Sequence, residues 1–476
     1  MSEAGREIAP DLQQWIAAVT GARAVDVRQV AGGASREAWF VDAHTDGEVR
    51  QLFLRYDRRA PDPYSAFHPL HVEAQIMAEL HRHGVTVPAV VAVHPEQQAV
   101  LLERVGGATW FRLIADPDEQ VRTAQDFIAK LAYLHRLDPH DFAIPALGPV
   151  RAVREHVHDE IAAIRRRLNK HRRPAPLLLY CADWLERNVP DYDGPTVLVQ
   201  GDTGPGNFMY DAGRVTAIVD WELAHYGDPM DDIAWLSLRT VQDTFTDFAS
   251  RLAEYEKLSG HQIDGSRVWY YRLFAETRLA SMNPSGIDAR AALPADSPDA
   301  GNRLIYGMLH RRLLVEALAH VIGLPDVSVE MPGAEQSSPY QAVYDATASA
   351  LRAAAERSGD ALAQRYVKGA ARLVKYLAEV DRIGAVIDRQ EIAELAALLG
   401  STPASLEAGR SALAERAGRG ELDDRAYVTQ LWRGIKRDDY LMRAASGALR
   451  NRTWPPLSTR GDEPQWASQS PKTTAN

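Results

Sequence analysis

Short runs of alternating apolar and polar residues dominate the first hundred positions of the chain, a pattern typical of half-buried β-strands. Five such runs are predicted as strands: residues 24–30, 38–41, 49–56, 88–93 and 99–103. Residues 71–83 instead repeat apolar positions at helical spacing, and residues 11–19 do so more briefly. Five short strands around one main helix predict a small α+β lobe.

Helical periodicity takes over from residue 116 onward. Seven segments are predicted as helices: residues 124–137, 153–168, 177–187, 231–238, 243–258, 268–281 and 302–322. Strand character returns at residues 197–199 and across residues 208–221. A mainly helical lobe that carries two short strand segments is therefore predicted to follow the β-rich lobe.

The last third of the chain has a pattern of its own. Residues 333–338 have the composition of a linker, and residues 340–450 are rich in Ala, Leu, Arg and Glu at a 3.6-residue period, which predicts a helical bundle. Within it, Gly400 followed by Ser401 predicts the end of one helix and the start of the next. The predicted domains are residues 1–107, 108–332 and 339–452, followed by a polar, disordered tail at 457–476.

Composition narrows the classes of function. The 54 basic residues are outnumbered by 64 acidic ones, giving a formal net charge of −10, so a general nucleic-acid-binding surface is not expected. The single cysteine, Cys181, excludes a disulfide within the chain and a zinc site built from thiolates, and it reads as a small core residue. The first ten residues lack a leader pattern and the apolar stretches are too short to span a bilayer, so we expect a cytoplasmic protein without a membrane partner.

Residues 200–222 bring together residue types that carry chemistry. Asp202 follows a short apolar strand and opens a loop rich in glycine and proline. Residues 211–214 predict a hairpin turn between two strands. Because the start of the first strand of a hairpin lies opposite the end of the second, Asn207 and Asp220 are expected side by side, next to the loop with Asp202.

Asn207 and Asp220 offer the hard oxygen ligands that Mg²⁺ takes alongside nucleotide phosphates. Asp202 is then free to accept the proton of an attacking hydroxyl. A catalytic Asp, an Asn five residues later and a downstream metal-binding Asp divide the work in this way in protein-kinase-type phosphoryl transfer. Each of these residues alone could simply make a turn, but the combination indicates a phosphotransferase.

Residues 200–236, with Asp202, Asn207, an Asp-Trp-Glu run from Asp220 and a Gly-Asp-Pro run at 227–229, resemble the aminoglycoside phosphotransferase/choline kinase superfamily. The resemblance implies an α+β, bilobal protein-kinase-like fold, with a small β-rich N-terminal lobe, a helical C-terminal lobe and, here, an additional all-α C-terminal region. It also implies ATP and Mg²⁺. Gln200 stands where the family usually has histidine, which is expected to affect loop anchoring. Three acids after the hairpin are expected to be scaffold rather than chemistry: Asp228, Asp231 and Asp232.

The resemblance also implies roles in the N-terminal half. Gly33 and Ser35 lie between two predicted strands where a nucleotide lid belongs, although Gly-Gly is equally an ordinary turn. Arg55 ends the third strand where a phosphate-binding lysine is expected; arginine keeps the charge but has a different geometry, and a solvated strand-end arginine is the alternative. Glu73, on the following helix, is its natural partner or else a surface carboxylate.

Glu103 and Val105 lie in residues 101–107, which resemble the family hinge whose backbone meets the adenine. His135, at the end of a helix, is expected to be a packed structural histidine. The predicted parts of the site thus follow in the family order over about residues 20–325. They are a nucleotide lid, a phosphate-binding cation, an acidic helix, a hinge, the catalytic loop that Asp202 opens and the hairpin with the metal ligands.

The phosphate acceptor is expected to be a small molecule with a hydroxyl group. Residues 33–36, 54–55, 220–224 and 227–229 are most similar to the branch that includes kinase-like domains fused to some acyl-CoA dehydrogenases, which act on 4-hydroxyacyl-CoA thioesters. The resemblance therefore implies transfer of the ATP γ-phosphate to a small organic or hydroxyacyl-CoA substrate. Two alternatives are an aminoglycoside or macrolide kinase and a nucleotide-binding pseudokinase whose helical tail docks a partner.

Overall fold

A computed structural model of the chain describes residues 8–30, 36–170, 175–283, 297–333 and 337–458. Its contacts divide the chain into two compact units. Among the described residues, the first unit comprises those within 8–157, 191–264 and 455–458, and the second comprises those within 158–190 and 265–454.

The described residues form nine strands and a larger number of helices. The strands are β1 (Ala24–Gln29), β2 (Glu37–His44), β3 (Val49–Asp57), β4 (Val90–Val93), β5 (Gln98–Glu103), β6 (Val197–Val199), β7 (Phe208–Asp211), β8 (Arg214–Ile218) and β9 (His225–Gly227). The α-helices are α1 (Pro10–Thr20), α2 (Leu70–Arg82), α3 (Pro117–Arg136), α4 (Val153–Lys170), α5 (Pro176–Arg187), α6 (Pro229–Gln242), α7 (Phe248–Ser259), α8 (Gly265–Met282), α9 (Ala300–Val321), α10 (Gln341–Arg357), α11 (Ala361–Glu379), α12 (Ala385–Leu399), α13 (Leu406–Gly418) and α14 (Asp424–Met442).

The N-terminal sheet is antiparallel, with strand order β1-β2-β3-β5-β4. Alternate residues of its strands, such as Val41, Leu52 and Leu54, are fully buried and pack with Leu12 and Ile16 of α1. This alternation is what the sequence pattern predicted, and it confirms the small α+β lobe.

The remainder of the first unit is mainly helical, with two short antiparallel pairs, β6–β9 and β7–β8. Beneath β7, the buried Phe208 ring stacks on Phe127 of α3 with ring centroids 4.5 Å apart, and Phe111 and Phe245 complete an aromatic cluster. This cluster supports the hairpin that carries the predicted metal ligands.

The second unit is built from helices. Leu304, Ile305 and Met308 of α9 form one apolar core with Trp432 and Ile435 of α14. The contacts thus group α8 and α9 with the C-terminal helices rather than with the β-rich region, and this division differs from the predicted domain boundaries, which stay a prediction.

Some predicted elements differ in position. The helix predicted to restart at Ser401 begins instead at α13, where Ser405 caps the N-terminus by accepting from the Ala408 amide at 3.1 Å. Pro403 explains the delay, because the residue before a proline avoids the helical conformation. β9 was not predicted, and α7 begins five residues later than expected. Part of the predicted linker, residues 334–336, and nearly all of the predicted disordered tail, residues 459–476, lie outside the described residues.

Within the part of the chain that the structure describes, no helix has both the length and the apolar character required to cross a bilayer.

Candidate active site

The loop after β6 is anchored from below by Asp232, on the first turn of α6. The Asp232 carboxylate accepts from the amides of Gln200 at 2.9 Å and Gly201 at 3.0 Å, and from the Thr203 hydroxyl. His135, buried at the end of α3, lies 3.1 Å from the same carboxylate. Burial raises the pKa of Asp232, but these hydrogen bonds outweigh it and lower the pKa overall. The contacts confirm the scaffold role expected for Asp232 and the packed, structural position expected for His135.

Glycine is required at two positions of this loop. Gly201 has φ 83° and Gly204 has φ 137°, a region that residues with a Cβ rarely adopt. A Cβ on Gly201 would lie 2.4 Å from the carbonyl oxygen of Leu223, and a Cβ on Gly204 would lie 2.7 Å from the Cβ of Arg239. The loop can therefore approach both neighbours only because these residues are glycine.

Asp202, the predicted proton acceptor, projects from this loop and is held by two side chains. The Arg239 Nε donates to Oδ1 at 2.7 Å, and Arg239 Nη2 donates to Oδ2. Asn207 donates from Nδ2 to the Asp202 Oδ2 and to its carbonyl oxygen, both at 2.7 Å. Burial raises the pKa of the Asp202 carboxyl, with Arg239 and Asn207 opposing the shift and the nearby Asp220 adding to it.

The β7–β8 hairpin brings the two predicted metal ligands together. Phe208 pairs with Ile218, and the Val219 amide donates to the Asn207 carbonyl at 2.9 Å. Asn207 therefore faces the residue directly before Asp220, which is the adjacency predicted from the turn at residues 211–214.

Asp220 has an unusual backbone conformation, with φ 66°. A non-glycine residue in the left-handed region costs on the order of 1–3 kcal/mol and persists only where its surroundings impose it. Gln200 contributes to that restraint, because its Nε2 donates to the carbonyl of Val219 at 2.7 Å and lies 3.4 Å from the carbonyl of Asp220. Glutamine therefore ties the loop to the hairpin at the position where the family usually has histidine.

A second charged cluster surrounds Glu73 of α2, which is fully buried. One of its oxygens pairs with Arg55 at the end of β3, and the other accepts from Arg36 Nη1 at 2.7 Å. Arg55 Nη2 also lies 3.6 Å from Asp220 Oδ1. The structure therefore brings the predicted Arg55–Glu73 pair next to the hairpin and adds a second arginine to it.

Glu222 faces the same two arginines. Its Oε2 lies 3.1 Å from Arg36 Nη1 and 4.0 Å from Arg55 Nη2. Burial, with the negative charge of Asp220 beside it, raises the pKa of Glu222 to about 8. The site thus concentrates more negative charge than its arginines neutralise.

Asp220 Oδ1 is a buried oxygen that accepts no hydrogen bond within the described residues, and its 3.6 Å separation from Arg55 exceeds hydrogen-bonding distance. A buried carboxylate oxygen without a donor fits a divalent cation. No group of three or more His, Cys, Asp or Glu side chains placed to hold a metal occurs in the described residues. The donor set is instead one carboxylate and one amide, which suits Mg²⁺ because Mg²⁺ completes its shell with phosphate oxygens and water.

The predicted hinge, residues 101–107, is attached to the metal hairpin. The Thr216 hydroxyl of β8 donates to the Gly106 carbonyl at 2.8 Å, and Ala108 pairs with Tyr210 of β7. The Glu103 carboxylate pairs with Arg50 on the sheet surface, so only its backbone is available for the role implied by the family. Val105 is half-buried in the segment after β5.

Gly33 and Ser35, the predicted lid, lie outside the described residues. Two arginines at the site, Arg36 and Arg239, were not predicted to belong to it. Arg239 had a detectable signal, because it is the single basic residue of α6, lies in its apolar second half, and a buried arginine needs an acidic partner. Arg36 gave no such signal, since an arginine that follows a glycine turn is usually solvated.

Known proteins resemble this chain in sequence and in fold. The chain is 28% identical over 286 residues to the aminoglycoside 3′-phosphotransferase of Streptomyces fradiae, covering 55% of this chain and 94% of that protein. It is 31% identical over 129 residues to acyl-CoA dehydrogenase family member 11 of the rat, covering 26% of this chain but only 16% of the rat protein. A crystal structure of an aminoglycoside phosphotransferase homologue from Ralstonia eutropha superposes with a TM-score of 0.50 at 21% identity, over 66% of this chain and 98% of that one, which shows the kinase-like fold.

The model of the phosphotransferase enzyme family matches residues 26–265, just over half of the chain. This match contains most of β1, the rest of the N-terminal sheet, the loop after β6, the β7–β8 hairpin and α6. The chain belongs to the phosphotransferase enzyme family.

Proposed function

We propose that the protein transfers the γ-phosphate of ATP to a hydroxyl group of a small organic substrate. The observation that carries the proposal is the Asp202 carboxylate, held by Arg239 and Asn207 next to the Asn207–Asp220 pair. A restrained carboxylate beside two oxygen ligands is the arrangement that phosphoryl transfer to an alcohol requires.

In this proposal Asp202 is the general base. One carboxylate oxygen takes the proton of the acceptor hydroxyl as that oxygen bonds to the γ-phosphorus. The bond from the γ-phosphorus to the β–γ bridging oxygen breaks, and ADP leaves with those electrons. Burial favours this role, because it raises the pKa of Asp202 and so makes the carboxylate a better proton acceptor.

Asn207 and Asp220 would hold Mg²⁺, which when bound neutralises phosphate charge during transfer. Arg55 would provide the cation that meets the phosphates, with Glu73 fixing its position. The hydrogen bond to Glu73 uses one of the five N–H groups of Arg55, so the arginine has further donors for phosphate where lysine is usual.

The adenine would meet the backbone of Glu103 and Val105, and Gly33 and Ser35 would close over the phosphates. The adenine part of this proposal is supported by the bonds that join residues 106 and 108 to the hairpin that carries Asn207 and Asp220. Substrate positioning of this kind supplies a large part of the rate in phosphoryl transfer.

For the acceptor we propose a hydroxyacyl-CoA. The support is the 31% identity with the rat protein named acyl-CoA dehydrogenase family member 11. An antibiotic is the second candidate, favoured by the match that covers 94% of the Streptomyces fradiae aminoglycoside 3′-phosphotransferase.

The test is incubation of the purified protein with Mg-ATP and a panel of hydroxyacyl-CoAs, simple alcohols, sterols, aminoglycosides and macrolides, with products identified by mass. We expect one class to gain a phosphoryl group. Asp202→Asn should bind ATP as the wild type does and lose transfer by about a thousandfold. The absence of product from every class would contradict the proposal, and an Asp202→Asn variant indistinguishable from wild type in every assay would favour a pseudokinase.

A further inference from the structure

We propose that Arg239 is a positioning residue, which acts on the reaction by holding the Asp202 carboxylate in the orientation needed to accept the proton. The inference rests on the proposed function and adds to it a residue on α6, 37 positions after Asp202.

The contact is a fork. Nε and Nη2 of Arg239 each donate to a different oxygen of Asp202, so that the planar guanidinium fixes the plane of the carboxylate. Asn207 donates to Oδ2 from another side. Two donors on one edge and a third on Oδ2 leave the carboxylate a restricted set of free lone pairs, and those define where an acceptor hydroxyl can bind.

Burying the charged Arg239 side chain in this helix costs free energy, and a role in the reaction would account for that cost. The helix around it is apolar, and the Arg239 and Asp202 side chains are only 23% and 15% exposed. Replacing a buried ion pair by apolar residues of similar volume is often neutral or stabilising. Helix packing alone would therefore be served as well by an aliphatic residue.

Loop anchoring does not account for Arg239 either. Asp232 already binds the loop through the amides of Gln200 and Gly201. Both described hydrogen bonds of the Arg239 side chain go instead to the carboxylate of Asp202. Removing the guanidinium should consequently leave the loop backbone in place and release only the side chain of the base.

Gly204 gives independent support. Its Cα approaches Arg239 so closely that any Cβ would lie 2.7 Å from the Arg239 Cβ and 3.2 Å from its Cγ. The loop therefore makes room for this side chain at a residue that must be glycine.

The experiment is a double-mutant cycle on Asp202→Asn and Arg239→Gln, with Arg239→Lys as a variant that keeps the charge but loses the fork. The readouts are kcat and KM for the acceptor found in the substrate screen, calorimetric binding of Mg-ATP, and crystal structures of the Arg239 variants. Arg251→Lys is the matched control, because Arg251 is a buried, ion-paired arginine on the neighbouring α7.

We expect the kcat of Arg239→Gln to fall about a hundredfold, while its affinity for ATP changes less than about threefold. Arg239→Lys should recover little of the lost kcat. In the Asp202→Asn background, Arg239→Gln should lower kcat almost no further, because both changes disable the same function, proton acceptance by Asp202. The crystal structures should show the loop backbone unmoved and the Asp202 carboxylate rotated. Arg251→Lys should keep the wild-type kcat.

Additive losses in the cycle, full recovery by Arg239→Lys, or an unmoved carboxylate would each overturn the proposal. If Arg239→Gln does not fold, Arg239→Lys decides the matter by the same structural readout. If the wild type phosphorylates none of the panel, the proposed function fails, while the orientation of Asp202 in the variant crystals still tests the positioning by Arg239.

Discussion

Each unit contains a buried network of arginines and carboxylates, and these two networks differ in how completely their hydrogen-bonding groups are satisfied. In the second unit, Arg410 donates to both oxygens of Glu391, at 2.6 and 2.8 Å, and to Asp438 at 2.9 Å. Asp438 also accepts from Arg311 at 2.8 Å. The two carboxylates are almost fully buried, at 2% and 3% exposure.

In the network of the first unit, the hydrogen-bonding groups are incompletely satisfied. Asp220 is 31% exposed, has a left-handed backbone and keeps a buried oxygen without a hydrogen bond in the described residues. Glu222 has a pKa raised to about 8 by burial and by Asp220. Unsatisfied acids and backbone strain are features of functional sites, where stability is given up for chemistry.

The largest expected effect is on stability in the second unit. Arg410→Met should lower the free energy of unfolding by about 3–5 kcal/mol, because it leaves Glu391 charged and without its fork. Phosphotransfer by the folded fraction should be unchanged. Chemical denaturation followed by circular dichroism measures the free energy of unfolding, and kcat under native conditions measures phosphotransfer.

Arg419→Met is the control for this prediction. Arg419 pairs with Glu421 at the surface, with 57% of its side chain exposed. Such pairs contribute about 0–1 kcal/mol, so its loss should be small. If the folded fraction of Arg410→Met had a reduced kcat as well as a reduced free energy of unfolding, the distinction between the two networks would not hold.

The next effect is on activity in the first unit. Asp220→Asn should lower kcat by about a hundredfold or more, because it removes the charge proposed to bind the metal. The melting temperature should rise, because Asp220 raises the pKa values of Asp202, Glu73 and Glu222 and so repels them. Asparagine also tolerates the left-handed backbone, which limits the variant to a change of charge. A drop in melting temperature would show that Asp220 is structural.

Much of this site could be predicted from sequence because it lies in one short segment. Asn207 and Asp220 are 13 residues apart, and a hairpin turn with Ala212 and Gly213 at positive φ determines their adjacency. The alternation of the N-terminal strands likewise determined the sheet, since each strand buries one face.

The residues that sequence missed are those brought in by tertiary packing. Arg36 meets Glu222 across 186 positions of chain, and no local pattern encodes that contact. The same holds for the second unit, where helical periodicity predicted the bundle but could not predict that α9 shares its core with α14. The late start of α13 is a different error, because Pro403 was visible in the sequence.

Gly204→Ala separates backbone strain from the contact with Arg239. Alanine at φ 137° should cost about 1–2 kcal/mol of stability, and its Cβ should displace Arg239 and lower kcat by about tenfold. Gly260→Ala is the matched control: Gly260 has φ 80° with nothing within 4 Å of its Cβ position. It should lose similar stability and no activity. Equal kcat values in the two variants would contradict the dependence on Arg239.

The smallest expected effect is at Glu316, and it tests whether this acid of the second unit is as well paired with arginine as Glu391 is. Glu316 has Arg312 at 3.6 Å and Thr453 at 3.0 Å, and burial raises its pKa from 4.5 to about 7. A carboxyl with a raised pKa binds its proton more tightly in the folded state, so its contribution to stability is present below pH 4.5 and is lost as the pH rises to about 7. Glu316→Gln removes this titration. Between pH 4.5 and 8 the variant should therefore gain stability relative to the wild type, on the order of 1 kcal/mol, in denaturation curves measured at each pH. A constant difference across that range would place Glu316 with the matched acids such as Glu391.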